Sequence, residues 1–155
     1  MLGYQIGKRE WIMKIPDNVK DSLNQSLKTR RVVVGTASKA GIPNAVPIGI
    51  LKFLDDETLI VVDNYFLKTR ENLDQNPRLT ITCWNMEEKD GKLITKDGSQ
   101  LKGKVKLEEK GALYEKIKAD VKAINPNLPA KAIALVKVEE ISDIKSGPNA
   151  GKKIS

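Results

Sequence analysis

A strict two-residue alternation in the second half of the chain constrains the fold more than any other feature. From Arg78 to Trp84, Leu79, Ile81 and Cys83 fall on one side and Thr80, Thr82 and Trp84 on the other. From Leu101 to Leu107, Leu101, Gly103, Val105 and Leu107 alternate with Lys102, Lys104 and Lys106. Successive strand residues point to opposite faces, so both segments read as strands, the second with one wet face. Four more apolar runs read the same way: Arg31–Ala37 with its three consecutive valines, Asn44–Leu54, Thr58–Val62 and Ala130–Ile144. The segments are separated by turn signals at Lys39-Ala40-Gly41, Asp55-Asp56 and Asp63-Asn64. Lys89-Asp90-Gly91 and Lys96-Asp97-Gly98 read as two further turns flanking Leu93-Ile94. Six strands joined mostly by turns predict a small antiparallel barrel.

Helical spacing is confined to three short stretches. Val19, Leu23 and Leu27 form one stripe over Pro16–Lys28. Leu67–Gln75 is stopped by Asn76-Pro77, and Ala112–Ile124 carries Leu113, Ile117, Val121 and Ile124 before Pro126 and Pro129. No G-x-G-x-x-G occurs, and the order of elements leaves no room for a dinucleotide-binding βαβ unit. Within Asn44–Leu54, Pro47 lacks a ladder donor and marks an edge, a bulge or a break, while Gly49 lets another group approach the backbone. The 155 residues suit one domain, predicted over 16–145, with an extension at 1–15 bearing Tyr4, Trp11 and Ile12 and a turn-rich tail at 146–155.

Composition narrows the chemistry. The chain contains no histidine and one cysteine, Cys83. Histidine-dependent nucleophilic catalysis, His-ligated zinc and His-ligated haem are excluded. A lone thiol forms no internal disulfide or cysteine-rich metal site, and it points to a reducing compartment. No metal site and no catalytic residue is identifiable. No apolar run approaches the roughly 20 residues that span a bilayer, and Met1–Lys14 has no continuous apolar stretch of a signal peptide. The expectation is a soluble cytoplasmic protein with no membrane partner. The net charge of +7 invites a basic β-barrel that binds nucleic acid. Its distribution argues otherwise, at +3 over residues 1–85 and +4 over residues 86–155, and only 5% of residues are aromatic. A solvated basic surface, with no nucleic-acid partner, is the simpler expectation.

Lys68-Thr69 is the one local signal for a ligand. The pair opens the Leu67–Gln75 helix, where free backbone N–H groups and the positive end of the dipole suit phosphate. Lysine adds a charge and threonine a hydroxyl. The plainer alternative is a surface lysine beside a helix cap.

Three phrases extend this signal: Gly41-Ile42-Pro43-Asn44-Ala45-Val46-Pro47-Ile48, Leu59-Ile60-Val61-Val62-Asp63-Asn64, and Leu67-Lys68-Thr69-Arg70-Glu71-Asn72-Leu73-Asp74-Gln75-Asn76-Pro77-Arg78. In this order, with Lys68, Asn72, Leu73, Asn76 and Pro77 at their spacing, the chain resembles the pyridoxamine 5′-phosphate oxidase-like, FMN-binding split β-barrel family over about residues 17–145. The resemblance implies a mainly β protein, a six-stranded antiparallel split β-barrel with short flanking helices. It implies a homodimer with FMN at the subunit interface. Lys68 and Thr69 would hold the phosphate. Val46, Pro47, Ile48 and Gly49 would run along the flavin, and Val62, Asp63 and Asn64 would meet the ring or ribityl hydroxyls. Where relatives often carry a phosphate-binding Arg, on the strand that is Val46–Lys52 here, this chain offers Pro47 and Lys52, so the second charge is left to Arg30, Arg31 or Lys52. Tyr65 and Trp84 are the aromatic candidates for shielding the flavin, whereas Cys83 is expected to point into the core. The C-terminal segment lacks the Arg and His of the vitamin B6 oxidases, which argues against that activity. The implied function is a flavin-dependent oxidoreductase or electron carrier. The alternatives are a relative that binds the deazaflavin F420 and a flavin-holding protein without turnover.

Overall fold

The computed structural model describes residues 13–154, so Tyr4, Trp11 and Ile12 lie outside the described residues. In chain order the elements are α1 (Asp17–Lys28), β1 (Val32–Ala37), β2 (Pro43–Pro47), β3 (Leu51–Phe53), β4 (Thr58–Asp63), α2 (Lys68–Gln75), β5 (Arg78–Lys89), β6 (Lys92–Glu108), α3 (Ala112–Ile124) and β7 (Ala132–Asp143). The strands form one sheet in the order β2-β1-β5-β6-β7-β4-β3, with every neighbouring pair antiparallel.

The described residues form seven strands rather than six, because Asn44–Leu54 is broken in two. Pro47 ends β2, and Ile48, Gly49 and Ile50 lie outside any strand. The two halves, β2 and β3, occupy opposite edges of the sheet. Four residues of chain span at most about 14 Å, so the two edges must lie close together. The sheet is therefore curled into a barrel that stays split at this point. The bridging residues reach both sides: Ile48 N–H donates to Val32 O on β1 (3.1 Å), and Val62 N–H on β4 donates to Ile50 O (3.3 Å).

Alternation determines which side chains fill the barrel. Val32, Val34, Leu79, Ile81, Cys83, Leu101, Val136 and Val138 point inward and are buried, with Val19 and Leu23 of α1 packed among them. β4 has no wet face. Leu59 and Val61 point into the barrel, while Ile60 and Val62 lie under Ile117, Val121 and Tyr114 of α3. Ile124, placed by spacing on the buried stripe of α3, is exposed at the helix end. No helix among the described residues is long and apolar enough to cross a membrane.

Of the two turn signals around Leu93-Ile94, only the first is a turn. Asp90 (φ 52°) and Gly91 (φ 72°) make a two-residue hairpin with both residues left-handed. Lys96-Asp97-Gly98 instead lies inside β6. There Asn85 pairs with Asp97 and Met86 with Thr95, so Lys96 is the extra residue of a bulge. Asn85, which carries no signal in the sequence, ties this bulge to α1. Its buried amide donates to Asp97 Oδ1 (2.7 Å) and Ser22 O (2.9 Å) and accepts from Ser26 Oγ (3.1 Å). After β7 the tail turns back. Ile154 N–H donates to Ile141 O at 2.8 Å, and its side chain packs on the barrel core.

Two expectations follow for the core. Asn85→Leu removes the buried amide from this knot, leaving Ser26 only the carbonyls of Ser22 and Trp84 and leaving Asp97 only the Ser22 hydroxyl, and should cost about 2 kcal/mol in urea unfolding; a change near zero would show that the knot contributes nothing. Burial pushes the Cys83 thiol from 9.0 up to about 11, against opposing hydrogen bonds from Ser99 and Ser26. The native state thus keeps a proton that the unfolded chain has lost between those values. Stability from this group is full below pH 9.0 and falls as pH rises toward 11. Wild type should therefore lose stability relative to Cys83→Val over that window, and the native thiol should resist a thiol reagent at pH 8 until urea unfolds the chain.

Candidate functional site

The break between β2 and β3 opens a groove of about 510 Å³. One wall is the end of β2 and the bridge, the other the end of β4, the loop 64–67 and the start of α2. Eight of the nine residues expected at the site line it: Val46, Pro47, Ile48, Gly49, Val62, Asn64, Lys68 and Thr69. The sequence-distant segments thus converge because closing the barrel brings its two edges together.

Thr69 is buried at the floor, and its Oγ1 accepts a hydrogen bond from Asn44 Nδ2 at 3.3 Å. Lys68 is exposed and paired with Glu71 at 2.7 Å, so its charge is partly neutralised. The first turn of α2 leaves backbone N–H groups without intrahelical acceptors at this wall. Gly49 makes no backbone hydrogen bond with another described residue. A Cβ there would stand 2.6 Å from Arg30 Nη1, so the guanidinium lies directly against this backbone. Arg30 reaches the groove from the turn after α1, where its own backbone is left-handed (φ 60°).

Of the three residues left open for a second charge, Arg30 alone lines the groove. Lys52 is turned to Asp120 on α3 at 3.0 Å. Arg31 lies outside the lining, and its carbonyl accepts the Trp84 N–H at 3.3 Å. Tyr65 stands at the rim, 72% exposed, whereas Trp84 lies on β5 away from the groove. Leu128, from the loop between Pro126 and Pro129, and Asn44 also line the groove. Asn44 lies within the Gly41–Ile48 phrase but carries no site signal of its own, and no local pattern marks Leu128; the closed barrel brings both there.

Asp63 is the ninth residue, and its side chain does not line the groove. It is 1% exposed. Oδ1 accepts the Phe66 N–H (2.9 Å), and Oδ2 accepts from Arg70 Nη1 (3.2 Å). Lys131 Nζ stands 3.7 Å away. Arg70 also pairs with Glu109, while its buried Nε makes no hydrogen bond and lies 3.6 Å from Asp74. Burial works to lower the Arg70 pKa, but the hydrogen bonds to Glu109 and Asp63 outweigh it and raise it.

The lining joins cations, hydroxyl and amide groups with Val46, Ile48, Ile50, Val62 and Leu128. That set fits a ligand with an anionic group and a broad apolar body. A larger cavity of about 600 Å³ lies on the outer face of β1, β5 and β6, between Gly35, Ala45, Thr80 and Lys102. It shares Asn44 with the groove but holds none of the nine residues. Among the described residues no cluster of His, Cys, Asp and Glu could hold a metal ion.

Known proteins resemble this chain in sequence or in fold. A protein of Methanocaldococcus jannaschii, itself uncharacterized, is 34% identical over 138 residues, 87% of each chain. The structure of HupZ from Group A Streptococcus matches with a TM-score of 0.70 at 28% identity, covering 88% of this chain and 99% of that one. An FMN-binding protein from Syntrophomonas wolfei matches with a TM-score of 0.67 at 17% identity, covering 81% and 85%. HutZ, the heme storage protein from Vibrio cholerae, matches with a TM-score of 0.57 at 15% identity, covering 84% and 95%. At those identities the last two establish the fold alone. The family model for pyridoxamine 5′-phosphate oxidase matches residues 15–145, the whole barrel including both walls of the groove. With that match and the split barrel itself, the chain belongs to the pyridoxamine 5′-phosphate oxidase family.

Proposed function

We propose that this chain is an FMN-binding flavoprotein, working as a flavin-dependent oxidoreductase or electron carrier, with the flavin in the groove of a homodimer. The observation that carries this reading is the Arg30 guanidinium against Gly49, in the same groove as buried Thr69 and the start of α2. Arg30 would stand in for the Arg that relatives often carry on the strand that is Val46–Lys52 here, since Lys52 is turned to Asp120. Asn44 orients the Thr69 hydroxyl. Arg30, Lys68, Thr69 and the N–H groups of α2 would hold the phosphate. Val46, Ile48 and Val62 would pack on the ring, and the unpaired backbone at Gly49 would offer it hydrogen bonds. The bound isoalloxazine supplies the redox chemistry, so a chain without histidine needs no catalytic base of its own. Tyr65 and Leu67, each 72% exposed at or beside the groove rim, support cover by a second copy.

The fold shared with HutZ raises haem as a second reading. Against it, this chain has no histidine, and its one cysteine is buried in the core.

Purified protein, or protein titrated with FMN, should show flavin bands at about 370 and 450 nm. A colourless protein whose thermal midpoint does not rise with added FMN would sink the proposal. Arg30→Ala should weaken FMN about tenfold while leaving riboflavin nearly unchanged, since a charge-assisted hydrogen bond to phosphate is lost. Gly49→Ala should act in the same direction by pushing the guanidinium aside. Equal losses for both flavins would contradict the role given to Arg30.

A further inference from the structure

Asp63 ends β4, and the lip of the groove, Asn64 to Thr69, begins immediately after it. Buried carboxylates are costly unless paired and hydrogen-bonded. This one is compensated entirely by groups that shape the lip. Its Oδ1 takes the Phe66 N–H at 2.9 Å, while Lys131 Nζ donates to Phe66 O at 3.3 Å. One residue of the lip, Phe66, is thus held through both of its backbone polar groups. Lys131 is itself fixed, since its backbone N–H donates to Asp63 O at 2.8 Å. The neighbouring Ala130 N–H donates to Asn64 Oδ1 at 3.0 Å. Oδ2 holds Arg70 Nη1 at 3.2 Å, and Arg70 lies in the first turn of α2, one residue beyond Thr69. The carboxylate therefore couples three things: the end of β4, the loop that carries Tyr65, and the orientation of the helix that presents Lys68 and Thr69.

We propose that Asp63 is the positioning residue of the anion end of this groove: through Phe66, Arg70 and Lys131 it holds the lip and the first turn of α2 where a ligand phosphate meets them. The inference rests on the flavin reading and deepens it. Its electrostatics give it a distinctive sign. An anion near a phosphate site repels phosphate, so if Asp63 acted only through charge, neutralising it would tighten FMN. If Asp63 acts by holding the lip, neutralising it loosens the phosphate contacts and FMN weakens. A loss of global stability would lower FMN and riboflavin affinity by the same factor and leave their ratio unchanged.

The experiment compares the full-length wild type with Asp63→Asn, Lys131→Met and Lys131→Arg. Dissociation constants for FMN and riboflavin are read from flavin fluorescence, and thermal midpoints are taken without flavin. Asp63→Asn should reduce the preference for FMN over riboflavin about tenfold, the scale of a lost charged hydrogen bond. Lys131→Met acts at a half-exposed side chain and keeps the fold testable if Asp63→Asn does not fold. It should reduce the same preference several-fold, and Lys131→Arg should restore most of it. A preference that is unchanged or increased in Asp63→Asn or Lys131→Met overturns the inference while leaving the flavin reading intact. A wild type that binds neither flavin overturns that reading and the inference with it.

Discussion

The passage of the chain from Pro47 to Leu51 is the constraint on which the rest of this structure depends. In sequence it is a short irregular connection. In space it joins the two edge strands of one sheet. An open sheet with β2 at one margin and β3 at the other would need a long connection between them. Three residues suffice only if the margins are adjacent, and so the sheet curls. Burial of the inward rows then follows from closure. The groove follows as well. Its walls are the two margins that the connection holds near each other but does not zip together. Pro47 has no N–H with which to continue a ladder, and Gly49 carries no side chain to fill the gap. Barrel and site are thus one geometric event.

Charge is organised differently from the apolar pattern. The +7 excess does not gather at the groove. On the outer face, Arg78, Lys104 and Lys137 stand directly opposite one another across three strands, an arrangement that costs stability. Carboxylates on β7 offset it, with Glu139 against Arg78 at 2.6 Å and Glu140 against Lys102 at 3.5 Å. Such exposed pairs contribute little individually, but they leave a mixed surface rather than a basic stripe. At the groove, Lys68 shares its charge with Glu71 and Asp63 binds Arg70 internally. Arg30 has no carboxylate partner among the described ion pairs. Local pairing, not the net charge, determines where an anion is attracted.

Much of this was legible in the sequence because the relevant physics is local. Period-two alternation placed β5 and β6 and the inward direction of Cys83. Four-residue spacing placed α1, and Asn76-Pro77 placed the end of α2. Pro47 and Gly49 marked an interruption, but whether it was an edge, a bulge or a break depended on strands far away in the chain. It proved to be both an edge and a break, and that added the seventh strand. Asp97-Gly98 has the chemistry of a turn, yet it lies beside a bulge within β6, where Asn85 across the sheet and Ser22 on α1 both donate to Asp97. Arg30 could not be separated from Arg31 and Lys52, since the choice rests on the direction of one turn after α1. Asp63 was placed at the groove, with Val62 and Asn64, by the family resemblance, which does not say where its side chain points. It points away from the groove, and alternation along β4 fixes that only once both faces of the strand are known to be buried.

A groove made from two unzipped margins also couples ligand binding to folding. Beside the shared core, the two walls are joined by a few polar contacts: the backbone bonds of Ile48 and Ile50, and the bonds of Asn44 and Thr36 to Thr69 and Asn72 of α2. A molecule seated in the groove touches β2 and the bridge on one side and β4 and α2 on the other, so it adds contacts across the gap. Binding to the native state alone stabilises it by about 2.7 kcal/mol when the ligand is at a hundred times its dissociation constant. That is a large share of the stability of a domain this size. The gain is greatest where the apo barrel is weakest, at the split. Opening of β2 and the lip from the barrel should therefore be suppressed by ligand more than exchange in the paired centre of β5 and β6, because only the former motion breaks the ligand's contacts as well as the protein's own.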